Sequence, residues 1–130
     1  MQRPAPPLTE RTGDYWRSGA DGVLRIARCQ DCGWRLHPPR PVCPKCRGQE
    51  IAFEPVSGRG EVWSWTINRY PWSPGMTPPY VLAEVELVEQ KGLRILTNII
   101  DCEIDQVRIG MPVTVAFDHV DEAYIPVFRP

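Results

Sequence analysis

Residues 29–46 read Cys29-Gln30-Asp31-Cys32-Gly33-Trp34-Arg35-Leu36-His37-Pro38-Pro39-Arg40-Pro41-Val42-Cys43-Pro44-Lys45-Cys46, two Cys-x-x-Cys turns separated by ten residues. Each turn can aim two thiolates at one point. Tetrahedral zinc takes four sulfurs at about 2.3 Å, so two hairpin tips facing each other would complete a shell from Cys29, Cys32, Cys43 and Cys46. Gly33 follows the second ligand without a Cβ to obstruct the tight turn, and Pro44 stiffens the other knuckle. A segment of about 30 residues is too small to fold on its apolar core alone, so metal binding, worth about 10–16 kcal/mol in zinc-finger peptides, would supply most of its stability. Four cysteines close the coordination shell, whereas a catalytic ion keeps a position open, so the expected ion is structural.

Competing readings of the quartet are weaker. Disulfides need an oxidising compartment, and a thioredoxin-type pair sits at a helix start in a βαβ unit, which this chain lacks. Four thiolates also suit a single iron of the rubredoxin kind, and softness alone does not separate the two metals. Zinc is favoured because Arg28, Arg35, Arg40, Lys45 and Arg47 surround a site with no companion redox group. His37 lies outside both tight turns and reads as a loop histidine. Cys102 reads as a small buried residue.

The remainder of the 130 residues bounds the architecture around that motif. Hydrophobic residues make up 42% and charged residues 24%, enough for a buried core. Fifteen prolines and ten glycines spread along the chain disfavour long helices and favour short strands joined by turns. After Phe53 the texture becomes a series of alternating runs: Glu61–Tyr70, Tyr80–Val88, Leu93–Ile100, Pro112–Phe117 and Ala123–Phe128. Five short strands following Ser57-Gly58-Arg59-Gly60 are the right number for a small closed barrel of the OB type; a sandwich or an SH3-like barrel also satisfies the count. The expected fold is therefore mostly β, in three parts. Residues 1–22 form an arm and a short helix, 23–50 a rubredoxin-like zinc ribbon, and 51–130 the barrel. Residues 1–9 are proline-rich and read as a loose arm, and Thr9–Gly19 offers an N-cap and a glycine stop for one or two helical turns.

A complete active site is not legible. No Gly-x-Ser-x-Gly elbow occurs, and Gly58-Arg59-Gly60 leads into a strand and is too short for a dinucleotide fingerprint. Asp118-His119-Val120-Asp121-Glu122 crowds a histidine with carboxylates, so a stand-alone hydrolase using His119 with Asp121 or Glu122 is one function class, ranked below a solvated turn. Net charge is −1, but residues 23–50 carry six basic against two acidic side chains and residues 51–130 six against eleven. A basic ribbon beside a barrel is compatible with nucleic-acid binding or with the phosphates of a coenzyme A ester; the acidic barrel argues against the nucleic acid. Pro71-Trp72-Ser73-Pro74-Gly75-Met76-Thr77-Pro78-Pro79 sets Trp72 and Met76 on a stiffened loop, either as a docking surface or with Trp72 folded back as a barrel cap. Tyr15 and Trp16 on the short helix are read as partner contacts. No apolar run is long enough to span a bilayer and the N-terminus lacks a secretion-signal core, so a cytoplasmic protein without membrane contact is expected.

Several stretches in this order carry a likeness: Tyr15-Trp16, Leu24-Arg25-Ile26-Ala27-Arg28-Cys29 through Cys32-Gly33, Cys43-Pro44-Lys45-Cys46, Gly60-Glu61-Val62-Trp63-Ser64-Trp65-Thr66 and Ile109-Gly110-Met111-Pro112-Val113. Together they resemble the acyl-CoA-associated zinc-ribbon/OB-fold proteins, long catalogued as a domain of unknown function. The resemblance implies a non-catalytic subunit in hetero-oligomeric complex with a thiolase-superfamily enzyme, a thiolase or an aldolase that cleaves steroid side chains as CoA esters. Two copies of each chain is one such arrangement. A hydratase-like half, fused to this domain in some members, is absent from this sequence. On that reading the chain orders its partner and helps line the CoA-ester pocket, with Tyr15, Trp16, Trp72 and Met76 as contacts.

Overall fold

The structure, a computed structural model, describes residues 3–130. A three-stranded antiparallel sheet, ordered β2-β1-β3, is built from β1 (Arg25–Cys29), β2 (Arg35–Leu36) and β3 (Ile51–Pro55). The chain then enters a closed barrel of β4 (Arg59–Asn68), β5 (Tyr80–Leu87), β6 (Arg94–Ile99), β7 (Pro112–Val120) and β8 (Ala123–Arg129), ordered β4-β5-β6-β8-β7. Pairing of β4 with β7, Gly60 opposite Val113, closes the ring, and Ile99 of β6 meets Phe128 of β8 in parallel. All five expected barrel strands are present. Closure decides between the sandwich and the barrel in favour of the barrel, because it leaves no sheet edge unpaired.

Alternation supplies the core. On β5, Val81, Ala83, Val85 and Leu87 are buried while Leu82 is exposed and Glu84 and Glu86 are half-buried on the opposite face. They meet Val62, Ile95, Val113 and Phe128 inside the barrel. The β4–β5 register shifts between Val62 and Ser64, a bulge that leaves Trp63 outside, its ring 3.4 Å from the Arg94 guanidinium.

Three details differ from the sequence expectation. First, the ribbon sheet continues past residue 50: Ile51–Pro55 pairs with β1, Cys29 opposite Ile51 and Arg25 opposite Pro55. The strand that leaves the ribbon is thus the same strand that leads into the barrel. Second, the regular helix, α1, is Gly13–Arg17, within the one or two turns expected but starting after Thr12 and not after Thr9, and a 3-10 turn at Ser18–Asp21 follows it. The turn before it is closed by Thr9, whose hydroxyl accepts the Thr12 N–H at 3.0 Å and whose carbonyl accepts the Gly13 N–H at 2.7 Å. Gly19 then lies against the Phe117 ring so closely that a Cβ there would overlap it, which is how so short a segment seats on the barrel. Third, the arm is anchored within the described residues. Arg3 donates to the Asp118 carboxylate at 2.7 Å and to the Asn98 side chain, with only 9% of its side chain exposed. Composition alone suggested looseness, but one long-range ion pair, invisible in local sequence, fixes this end.

Ribbon and barrel are also joined by side-chain bonds from the β5–β6 turn. The Gln90 amide accepts from the Arg35 N–H at 2.9 Å and donates to the Arg35 carbonyl at 2.8 Å, pairing with β2 as a further strand would. The neighbouring Glu89 carboxylate accepts the Ser57 N–H at 2.7 Å. Replacing Gln90 with Ala removes both bonds to Arg35 and is expected to cost about 1–3 kcal/mol. Hydrogen exchange should show faster amides at Arg35 and Leu36 with the barrel amides unchanged, and an unaltered Arg35 amide would contradict the clamp.

Candidate functional site

Cys29 ends β1 and Cys32 lies on the turn after it; Cys43 and Cys46 sit on a second turn before β3. The turns have matching backbone. The Gly33 N–H bonds to the Cys29 carbonyl at 2.9 Å, and the Arg47 N–H to the Cys43 carbonyl at 2.9 Å. Both residues after the second ligand take left-handed conformations, Gly33 at φ 81° and Arg47 at φ 66°. Glycine adopts this freely whereas arginine adopts it under constraint. The four ligand atoms lie within 4.8 Å of one another, with Cys29 and Cys46 sulfurs 3.5 Å apart and those of Cys32 and Cys43 3.7 Å apart. A tetrahedron of sulfurs at 2.3 Å from a central ion has edges of about 3.8 Å, so the quartet fits zinc. All four expected ligands are brought together, and the donor set is closed. The zinc is structural: bound, it cross-links two turns that have little apolar core between them.

Backbone donors prepare the thiolates. The Lys45 N–H reaches the Cys43 sulfur at 3.4 Å and the Gly48 N–H reaches the Cys46 sulfur at 3.3 Å. As a free thiol, Cys43 is pushed up by burial, but hydrogen bonds from the Cys46 and Lys45 N–H groups and from the Cys32 and Cys46 thiols together outweigh this and bring it down to about 7. The Gly48 N–H lowers Cys46, yet sharing protons with Cys29 and Cys32 pushes it up to about 12. Metal binding must therefore displace protons at neutral pH, and affinity falls as pH falls.

The other residues singled out in the sequence are scattered. Tyr15 is only 4% exposed, its ring 4.8 Å from Trp16 and 4.7 Å from His37. Its expected role as a partner contact is corrected: burial in the core keeps the ring from any partner and raises its hydroxyl pKa. His37 lies on the loop after β2, outside both knuckles as expected, and burial against this cluster pushes its pKa down to about 4. Trp16 is half-buried beside Tyr15. Trp72 is 72% exposed, so it does not cap the barrel. Its indole N–H donates to Asn68 at 2.8 Å and its ring packs on exposed Tyr70 at 4.5 Å, a pair that sequence reading missed because Tyr70 was counted into a strand. Met76 is half-buried on the same loop. His119 stacks on Tyr124 at 4.2 Å, and among the described residues no hydrogen bond joins it to Asp121 or Glu122. Cys102 is half-buried with its thiol directed to the Glu103 carbonyl. No helix of the described residues is long and apolar enough to cross a membrane.

Fold and quartet together define a structural zinc ribbon continued into an OB barrel. The family described as ChsH2, rubredoxin-like zinc ribbon domain, matches residues 16–52, and that described as ChsH2, C-terminal OB-fold domain, matches residues 53–118. The chain belongs to this ChsH2/DUF35 zinc-ribbon and OB-fold family. A DUF35 domain-containing scaffold protein of Methanocaldococcus jannaschii is 39% identical over 82% of this chain and 77% of its own length. A probable enoyl-CoA hydratase alpha subunit of Thermomonospora curvata is 36% identical over 98% of this chain, which spans only 40% of that relative's length. A chain of the solved Ltp2-ChsH2(DUF35) aldolase superposes with TM-score 0.86 at 35% identity, covering 98% of both chains.

Removing zinc with a chelator, or replacing Cys43 with Ser, is expected to unfold the ribbon at a cost of several kcal/mol while the barrel keeps its structure. Heteronuclear spectra resolve the two parts, and a ribbon intact without metal would contradict the assignment. Apparent zinc affinity should weaken as pH falls from about 8 to about 6, since protons compete for the thiolates; a pH-independent affinity would contradict thiolate ligation.

Proposed function

We propose that this chain is an accessory subunit that docks on a thiolase-superfamily acyl-CoA enzyme and supports it, with bond-making and bond-breaking left to the partner. The observation that carries the reading is the end-to-end match to a chain of the Ltp2-ChsH2(DUF35) aldolase. A relative named benzoylsuccinyl-CoA thiolase subunit BbsA, from Thauera aromatica, adds a thiolase to that aldolase; it is 33% identical over 72% of this chain. In this reading the assembly holds two copies of each chain in the cytoplasm, and the partner's CoA ester passes against this subunit.

The surface offered for docking is the loop after β4. Tyr70 and Trp72, 60% and 72% exposed, are large apolar groups already held by each other and by Asn68, so binding immobilises little that was free. Trp16 and Met76, both half-buried, are the further contacts of this proposal. A nucleic-acid role is disfavoured at the place where an OB barrel usually takes oligonucleotides, because β5 presents Glu84 and Glu86 on its outer face.

Affinity capture of the tagged full chain from its own host tests this. A thiolase-superfamily enzyme should be recovered in near-equal amount and survive a high-salt wash, and Trp72→Ala should reduce its recovery by about tenfold or more. Recovery of nucleic acid released by salt, or unchanged recovery with Trp72→Ala and Trp16→Ala together, would contradict the proposal.

A further inference from the structure

Burial on the outer face of β6 is uneven. Arg94, Leu96 and Asn98 share that face, alternating with the buried Ile95, Thr97 and Ile99. Leu96 is 66% exposed, yet Asn98, two residues on, is 8% exposed. Its cover is Arg3. The guanidinium donates from Nη1 to the Asn98 side-chain oxygen and from Nε to the Asp118 carboxylate on β7 at 2.7 Å, reaching across β8, which lies between those two strands. Asn98 is itself held, because its amide donates to the Val81 carbonyl on β5 at 2.6 Å and so turns its oxygen toward Arg3. Two fixed acceptors, one of them charged, match the planar fork of a guanidinium; a lysine ammonium is a point charge without that fork.

The segment behind Arg3 suits a strap. Pro4-Ala5-Pro6-Pro7 is preset toward an extended chain of about 3.1 Å per residue, so ordering it costs less entropy than ordering a free coil. Thr9 secures the far end through its bonds to Thr12 and Gly13. Between these anchors, Pro4 lines one cleft with Pro74 of the loop after β4, and Ala5, Pro6 and Leu8 line another with Val120–Ala123 of the β7–β8 turn. An OB barrel takes its ligands on the face of its second and third strands, here β5 and β6, between the loops that join strands one to two and four to five. Those loops are the Trp72 loop and the β7–β8 turn, so the arm lies where a ligand would. Asp118, Asp121 and Glu122 make this groove acidic, which favours a cationic occupant.

We propose that Asn98 and Asp118 form a guanidinium socket in the barrel's ligand groove, and that Arg3 plugs it in cis, so that residues 3–8 are a releasable strap holding the groove closed. The competitor such a socket admits is an extended, arginine-bearing segment of another polypeptide. A tethered arm competes at an effective concentration of about the millimolar range, so an outside segment must make further contacts to displace it. The strap is therefore a filter: it refuses a lone arginine and yields to a segment that also engages the flanking loops.

Nuclear magnetic resonance of the zinc-loaded full chain tests both parts. Ala5 and Leu8 carry backbone N–H groups within the strap, where the prolines have none. In the parent chain their heteronuclear NOE values should match those of the barrel; in Arg3→Ala and in Arg3→Lys they should fall toward free-chain values while Thr12 and Gly13 stay rigid. A peptide with the sequence of residues 3–9 should shift the Asn98 side-chain amide of Arg3→Ala and bind it at least about tenfold more tightly than it binds the parent. The same peptide with lysine for arginine should bind about fivefold or more weakly, and adding Asp118→Asn to Arg3→Ala should abolish binding. Strap amides that stay rigid in Arg3→Ala would overturn the latch. A peptide that does not bind Arg3→Ala, that binds parent and variant alike, or that binds equally with lysine would overturn the socket. Should Arg3→Ala disturb the barrel, the same readings on Arg3→Lys decide.

Discussion

Four sulfur atoms within 4.8 Å of one another hold together a segment that has little else to hold it. Of the ribbon's residues between Cys29 and Ile51, only Leu36, Pro39 and Cys43 are buried, so apolar burial cannot order the two turns. Zinc does so by joining them at one point, and the sheet follows: Cys29 is both a ligand and the residue of β1 that faces Ile51 on β3. Fixing the ion therefore fixes the strand that leads into the barrel.

The rest of the chain carries that rigidity outward. Gln90 pairs with the free side of β2, Glu89 receives Ser57 at the crossing from β3 to β4, and Tyr15 fills the space between the helix, His37 and the barrel core. Arg3 closes the other end of the arm on Asp118. Each bond is modest, but they tie ribbon, helix and barrel at separate places. In the proposed role the chain contributes in that way: geometry delivered to a neighbour.

What was legible in the sequence is what short-range chemistry specifies. The ligand quartet follows from spacing within each turn, and the barrel strands from alternation along single runs such as Val81 to Leu87. What was not legible depends on partners far away in the chain. Arg3 finds Asp118 across a separation of 115 residues, and Tyr15 is core only because α1 lands on β8. The expected boundary at residue 51 put Ile51–Pro55 with the barrel; its pairing with β1 gives it to the ribbon sheet. Tyr70 and Trp72 point the other way: the sequence marks aromatic residues on a proline-rich loop, but their exposure and their hold on Asn68 are set by the fold.

The role proposed for the chain is to support chemistry that a partner enzyme performs. The measurement that reaches this most directly is turnover of an acyl-CoA thioester by the purified, zinc-loaded chain, alone and after addition of the enzyme captured with it. The account predicts no turnover by the chain alone and turnover once the enzyme is present. Cleavage of the thioester by the isolated chain, abolished by His119→Ala, would contradict it.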